Sequence, residues 1–419
     1  MKKVGLLLSA LLVFTLVLAG CSGGSSDKNG KTTIRAIFMK QAGYSEDDIK
    51  QMTKDFEKEN KNIKVDLTFV SYEALEQKIL TAAPTGDYDV VLVDQPWTAK
   101  FSKAGLIQDL TDRTKDLDKS DIYEPVMEAG TYDNKLYAMP WLNDTRYLFY
   151  NKKMLKEAGF DAPPKTWDEL NKQAKVIKDK GIVKYPIVWS WKQAEALVCD
   201  VTSIFYSYNG EFIDQGKPVI NNSTNLKALN AMKHVLDSGL SNPNSTEYLE
   251  EDVRSVFSNG DAAFAINWTY MYNLANDPKE SKVSGDVGIA LSPGTSDVKS
   301  ATVNGGMGLS ITKGSKHSKE AWKYISYLSA KDVQKNYTKS ALPIWKSLYD
   351  DPEVVKLNPE VVKVSKEQFK YLVSRPMVPW YGQLSQKMQV EIQKALLGQQ
   401  KPEDALKNVQ KEASSLAKD

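Results

Sequence analysis

Tyr88-Asp89-Val90-Val91-Leu92-Val93-Asp94 decides the fold. Its centre is a continuous apolar run without alternation, the pattern of a short strand buried on both faces. Such strands sit in sheets covered by helices, and the preceding sequence supplies both partners. TIRAIF (33–38) is a β-favouring run. SEDDIKQMTKDFEKEN (45–60) carries Ile49, Met52 and Phe56 at helical spacing, and Ser45 with Asp48 opens it like a capping box. IKVDLTFV (63–70) alternates as a strand does, and SYEALEQKILTAA (71–83) returns to helical period. Strand alternating with helix predicts an α/β fold with a parallel sheet. Ligands of such sheets lie beyond the carboxyl ends of the strands, which is where Asp94, Gln95 and Trp97 fall.

Downstream, TWDELNKQAKVIKDKG (166–181) predicts a helix ending on Gly181, and YPIVWSW (185–191) a strand. STNLKALNAMKHVLDSG is helical, and VRSVFSNGDAAFAINW turns from helix to strand through Asn259-Gly260. MGLSIT and SKEAWKYISYLSA give one more strand and helix. The tail is two helices split by Gly398 and Pro402. At the other end, MKK precedes an apolar run of about fifteen residues, the length of a signal h-region and short for a membrane span. Leu18-Ala19-Gly20-Cys21 resembles the bacterial lipobox. The expectation is a signal peptide over 1–20, a lipidated Cys21 and a flexible tether over 21–31, holding the chain at the outer face of the cytoplasmic membrane.

The chain has 55 Lys+Arg and 53 Asp+Glu, and loss of Lys2 and Lys3 with residues 1–20 would take its formal charge from +2 to 0. That balance gives no electrostatic case for nucleic acid. Beyond Cys21 the one cysteine is Cys199, so an internal disulfide is not expected. Two distant histidines, His234 and His317, make neither a zinc site nor a catalytic base pair, and the sequence shows no G-x-S-x-G or calcium loop. No cofactor or metal is expected. NGGMG (Gly305, Gly306, Gly308) lacks the ending of a phosphate loop; it is either a tight strand entry or a close approach of backbone to ligand. Asp94 and Asp144 would be the carboxylate pair of a glycosidase, a weaker alternative because no spacing selects them among 53 acids.

The tryptophans speak more clearly. Trp167, Trp322 and Trp345 lie in or beside helical patterns, as core residues do. Trp97, Trp141, Trp189, Trp191, Trp268 and Trp380 lie near loops or strand ends. Asp94 with Trp97, Asn143-Asp144-Arg146 with Trp141, Asn267 with Trp268, and Arg375 with Trp380 each set a ring beside a group that makes two hydrogen bonds. A pyranose needs that pairing, since its C–H face covers a ring while its adjacent hydroxyls meet carboxylate, amide or guanidinium.

These blocks, with DNKLYAMPWLNDTRYLFYNKKMLKEAGFDAPPKTWDEL (133–170), NGGMGLSITKGSKHSKEAWKYISYL (304–328) and SRPMVPWYGQLSQKMQVEIQKALLGQQKPEDAL (374–406), resemble the carbohydrate-binding group of ABC-transporter solute-binding proteins, the group of the maltose-binding proteins. The resemblance covers essentially all of 32–419. It implies a two-lobed periplasmic-binding-protein-like fold (type II), with lobe 1 over 32–143 and 301–345 and lobe 2 over 147–298 and 346–419. The first crossing would run through Asn143 to Arg146. It implies a monomer that is no enzyme and hands a sugar, an oligosaccharide by its many tryptophans, to the membrane permease of an ABC transporter. Asp94 and Asp144 would bond the sugar, Trp268 and Trp380 would stack on it, and Trp189 or Trp191 would add a platform. Trp97, Trp141, Asn143, Arg146, Asn267, Gly306 and Arg375 complete the expected site, and Lys40 and Gln41 would reach the same cleft. Binding proteins for peptides or polyamines are the rival, disfavoured by the neutral balance.

Overall fold

The computed structural model describes residues 30–418. The signal peptide, Cys21 and nearly all of the tether lie outside the described residues. Two sheets organise the chain. In the first, strands Thr32–Met39 (β1), Ile63–Val70 (β2) and Val90–Asp94 (β3) run parallel. β3 is buried at all five positions, because helices cover both its faces. Met139–Leu142 (β4) closes the sheet, with a later strand between it and β3. The helix Glu46–Glu59 starts on the expected capping box: Ser45 Oγ accepts from the Asp48 amide at 3.1 Å, and Asp48 accepts from the Ser45 amide at 3.0 Å. Ile49, Met52 and Phe56 face the sheet.

After β4 the chain crosses to the second sheet, entering it at Arg146–Asn151 (β5). Ile187–Val188 (β6), Phe264–Trp268 (β7) and Val287–Ala290 (β8) follow, in the order β6-β7-β5-β8. β6 is shorter than the run YPIVWSW predicts. Trp189 and Trp191 leave the ladder and stack on each other in the core, ring centres 4.6 Å apart. The chain then returns through Thr302–Val303 (β9) to Met307–Ile311 (β10), which lies antiparallel between β3 and β4, so the first sheet is mixed rather than purely parallel. β9 pairs in parallel with Leu372–Val373 (β11), from a third passage of the chain. Thr145 joins the same belt by a bridge to Asn304 and by its hydroxyl, 2.6 Å from the Val303 carbonyl.

The helix Glu195–Ser207 is buried on almost every side, which removes the amphipathic period that would reveal it in sequence. The tail helices, Tyr381–Leu396 and Pro402–Leu416, pack on the second lobe's core. Among the described residues no helix is long and apolar enough to cross a membrane.

Candidate ligand-binding cleft

A cleft of about 590 Å³ opens where the carboxyl ends of β3 and β7 face each other across the crossings. The first turns of several helices point into it, so backbone N–H groups and short polar side chains converge there.

Its floor is a network around Arg375, two residues past β11 and only 3 % exposed. One guanidinium nitrogen donates to Asp94 Oδ1 at 2.7 Å and the other to Glu195 Oε1 at 2.9 Å. Asp94, the last residue of β3, also accepts from the Gln95 amide at 2.8 Å and from the Tyr72 hydroxyl at 2.7 Å. Glu195 opens its helix and accepts from the hydroxyls of Tyr381 and Ser385. Burial, with Glu195 beside it, pushes the Tyr381 phenol far up, so it stays a donor. Gln95 donates to the Arg375 carbonyl at 3.1 Å. The floor thereby joins the first sheet to the second lobe.

The opposite wall is built on Arg146, wholly buried at the start of β5. It donates to Asp200 at 2.7 Å, Ser190 at 2.9 Å and Glu250 at 2.8 Å. Burial alone would lower the guanidinium, but Asp200 and Glu250 outweigh it and hold it above its ordinary value. Its charge lies 4.7 Å from the centre of the Trp268 ring, a cation–π contact that covers one face. Trp268 Nε1 donates to Glu250 at 3.2 Å. A Cβ on Gly305 would sit 2.3 Å from the Trp268 ring, so only glycine lets the indole lie there. Gly306 and Gly308 are likewise confined by Asn304 and Ala138, and NGGMG is a packing device at a strand entry. Asp144, in the crossing, accepts on Oδ1 from the Thr145 amide at 2.8 Å, the Thr269 amide at 3.3 Å and the Thr269 hydroxyl. Burial pushes its carboxyl up to about 6, against the pull of those bonds and of Arg146.

Of the expected residues, Asp94, Trp97, Asp144, Trp268 and Arg375 line the cleft. Trp97 is no free platform, since its ring stacks on Tyr72 at 5.3 Å and is 5 % exposed. Arg146 and Asn267 stand one layer behind. Asn267 braces the wall by donating to the Glu250 carbonyl at 2.9 Å and accepting from the Trp268 amide at 2.8 Å. The expectation of ligand contact is corrected for the others. Trp141 is core, packed against Phe38 and Tyr44. Asn143 bonds the Pro343 carbonyl and Tyr349 hydroxyl, both at 3.3 Å. Trp189 and Trp191 are buried, Trp191 donating to Asp200 at 3.0 Å. Gly306 bonds Asn304 at 2.9 Å. Trp380 is half-buried on the second core, and its neighbour Tyr381 reaches the cleft instead. Lys40 is exposed and does not line the cleft, and the side chain of Gln41 lies outside the described residues.

Sequence reasoning missed Tyr72, Glu195, Glu250, Tyr270, Tyr381 and Ser385. Each stands in the first or second turn of a helix, where an acid or hydroxyl reads as ordinary capping. The usable signal was position, because several of these turns follow a strand end. The neutral balance of the chain also misled: eight carboxylates line the cleft against one lining cation, Arg375. Among the described residues, no three His, Cys, Asp or Glu are grouped to hold a metal ion.

Comparison with known proteins agrees with this geometry. The model of the family described as bacterial extracellular solute-binding protein matches residues 42–335. A probable ABC transporter-binding protein of Deinococcus radiodurans is 31% identical over 353 residues, 80% of this chain and 81% of its own. Among solved structures, maltose-bound MalE3 of T. maritima superimposes with a TM-score of 0.84 at 30% identity, over 92% of this chain and 99% of its own. A solute-binding protein of Thermotoga lettingae bound with alpha-D-tagatose gives 0.83 at 26% identity, over 92% and 99%.

Proposed function

The chain belongs to the bacterial extracellular solute-binding proteins, and from that premise we propose that it captures an oligosaccharide between its lobes and delivers it to an ABC-transporter permease without a chemical step. The observation that carries this reading is the Trp268 wall. One face of the indole is covered by Arg146, and carboxylates of Asp144 and Glu250 stand beside it in a cleft large enough for more than one sugar ring. The sugars in two similar solved structures, maltose and tagatose, support the ligand class.

The mechanism is a shift between open and closed forms, because only the closed form touches the ligand from both lobes. The lobes are taken as 32–143 with 301–345 and 147–298 with 346–419, and the belt of Thr145, β9 and β11 is their hinge. The protein acts as a monomer, anchored through a lipid on Cys21 at the outer face of the cytoplasmic membrane. A Cys21→Ser variant would then appear in the medium rather than with membranes. Isothermal calorimetry against maltose, maltotriose, chitin oligosaccharides and glucosamine oligomers, with product analysis, tests the main reading. Binding without cleavage is expected; cleavage, or no binding to any glycan, would overturn it.

A further inference from the structure

We infer that the captured solute is a glycan bearing at least one protonated primary amine rather than a neutral sugar. This rests on the sugar-binding reading and adds the charge of the ligand to it. The cavity and the family establish that something binds; the acids decide what kind.

Eight carboxylates line the cleft, among them Glu73, Asp144, Glu250, Glu251 and Asp252. The cations bonded to them are Arg375 in the floor, Arg146 behind Glu250, Lys100 on Glu76 and Arg254 on Glu251. Arg146 is shared with the buried Asp200 as well. That leaves nine carboxylates against four cations, a negative surplus facing the space the ligand fills.

The hydrogen-bond inventory points the same way. A neutral sugar hydroxyl both donates and accepts, so it prefers a site that offers both. Here most side-chain donors of the lining are consumed within the protein. Tyr72 donates to Asp94, Tyr381 and Ser385 to Glu195, the Trp268 indole to Glu250, and both guanidinium termini of Arg375 to carboxylates. What remains open is mostly acceptor. Asp144 takes its three bonds on Oδ1, and Glu250 takes Arg146 and Trp268 on Oε1, so the second oxygen of each receives no hydrogen bond from the described residues. An ammonium group brings three donors and no acceptor. The Trp268 indole, bonded to Glu250 and followed by Thr269 on Asp144, lines the same cleft, where an aromatic face suits both a sugar ring and the cation it carries.

Calorimetry on the protein at pH 6.5 and low salt, with glucosamine trimer, its fully N-acetylated counterpart, maltotriose and spermidine, tests the inference. The glucosamine trimer should bind about tenfold or more tighter than the acetylated trimer, and the gap should shrink toward about 0.5 M salt as screening sets in. Glu73 and Asp252 are exposed, so Glu73→Gln with Asp252→Asn should keep the melting temperature and narrow the gap by about threefold. Equal or tighter binding of either neutral trimer overturns the inference and leaves the sugar reading standing. Binding of spermidine with no glycan overturns both.

Discussion

Arg146 and Arg375 are both buried, both bonded to two carboxylates and both beside the cleft, yet they connect different things. The partners of Arg146, namely Ser190, Asp200 and Glu250, all belong to the second lobe. Those of Arg375 are Asp94 at the end of β3 in the first sheet and Glu195 at the head of a second-lobe helix. The first arginine therefore shapes one wall, and the second ties two walls together. Similar chemistry serves rigidity in one place and coupling in the other. The difference lies in where the chain places the partners.

Removing Arg146 should have the largest effect. Arg146→Met leaves Asp200 and Glu250 facing each other, with Asp200 wholly buried and held only by Trp191. Breaking a buried pair from one side costs about 3–5 kcal/mol, which urea unfolding would read directly. A loss below about 1 kcal/mol would mean that the wall does not depend on this charge. Arg375→Gln should cost less stability, about 1–3 kcal/mol, because Asp94 keeps Tyr72 and the Gln95 amide while Glu195 keeps Tyr381 and Ser385. Its signature should be affinity, reduced at least tenfold, with a change in the ligand-dependent radius of gyration by X-ray scattering. If both variants lose stability alone, the contrast between wall and tie is wrong.

The same contrast explains what was legible in the sequence. β3 and the capping box at Ser45 announce themselves because their signals are local, a four-residue apolar run and a three-residue spacing. Asp94, Asp144 and Trp268 were legible for a related reason, since each ends a strand or sits in a polar break between apolar segments. Arg146 reads in sequence as a ligand contact, but whether a side chain turns to the cleft or to its own lobe depends on partners 44 to 104 residues away. Glu195 and Tyr381 were hidden more fully. They look like first-turn helix residues until two distant helix starts meet, Tyr381 donating to the Glu195 carboxylate that holds Arg375. Trp189 and Trp191 show the converse error, because a ring beside a loop in sequence can still be the centre of a core.

A smaller effect should follow from the ring that Arg146 supports. Trp268→Ala removes the platform and the donor to Glu250 but keeps the Arg146 ion pairs. Affinity for the preferred glycan should fall by about 1–2 kcal/mol, roughly five- to thirtyfold, with the unfolding midpoint little changed. Unaltered affinity by calorimetry would move the stacking surface elsewhere in the cleft.

The smallest effect, and the one that separates wall from tie without touching either arginine, is the pH dependence of Asp144. Burial raises its carboxyl to about 6 in the folded protein, against 3.8 for a free aspartate. The folded chain thus holds the proton more tightly than the unfolded chain, and ionisation works against the fold as pH rises through that window. Between pH 5 and 7 this amounts to about 1 kcal/mol of stability lost on going up. Asp200, also raised to about 6 by burial, adds a slope of the same sign, so wild type alone cannot assign it. Asp144→Asn should remove Asp144's share and leave that of Asp200, seen as a flatter stability profile over pH 5–7 in paired urea titrations. In the same window the affinity for an ammonium-bearing glycan should rise with pH in wild type, as Asp144 gains its charge, and stay flatter in the variant. Parallel profiles for the two proteins would show that Asp144 does not titrate there, and its place beside the ligand would then rest on its geometry alone.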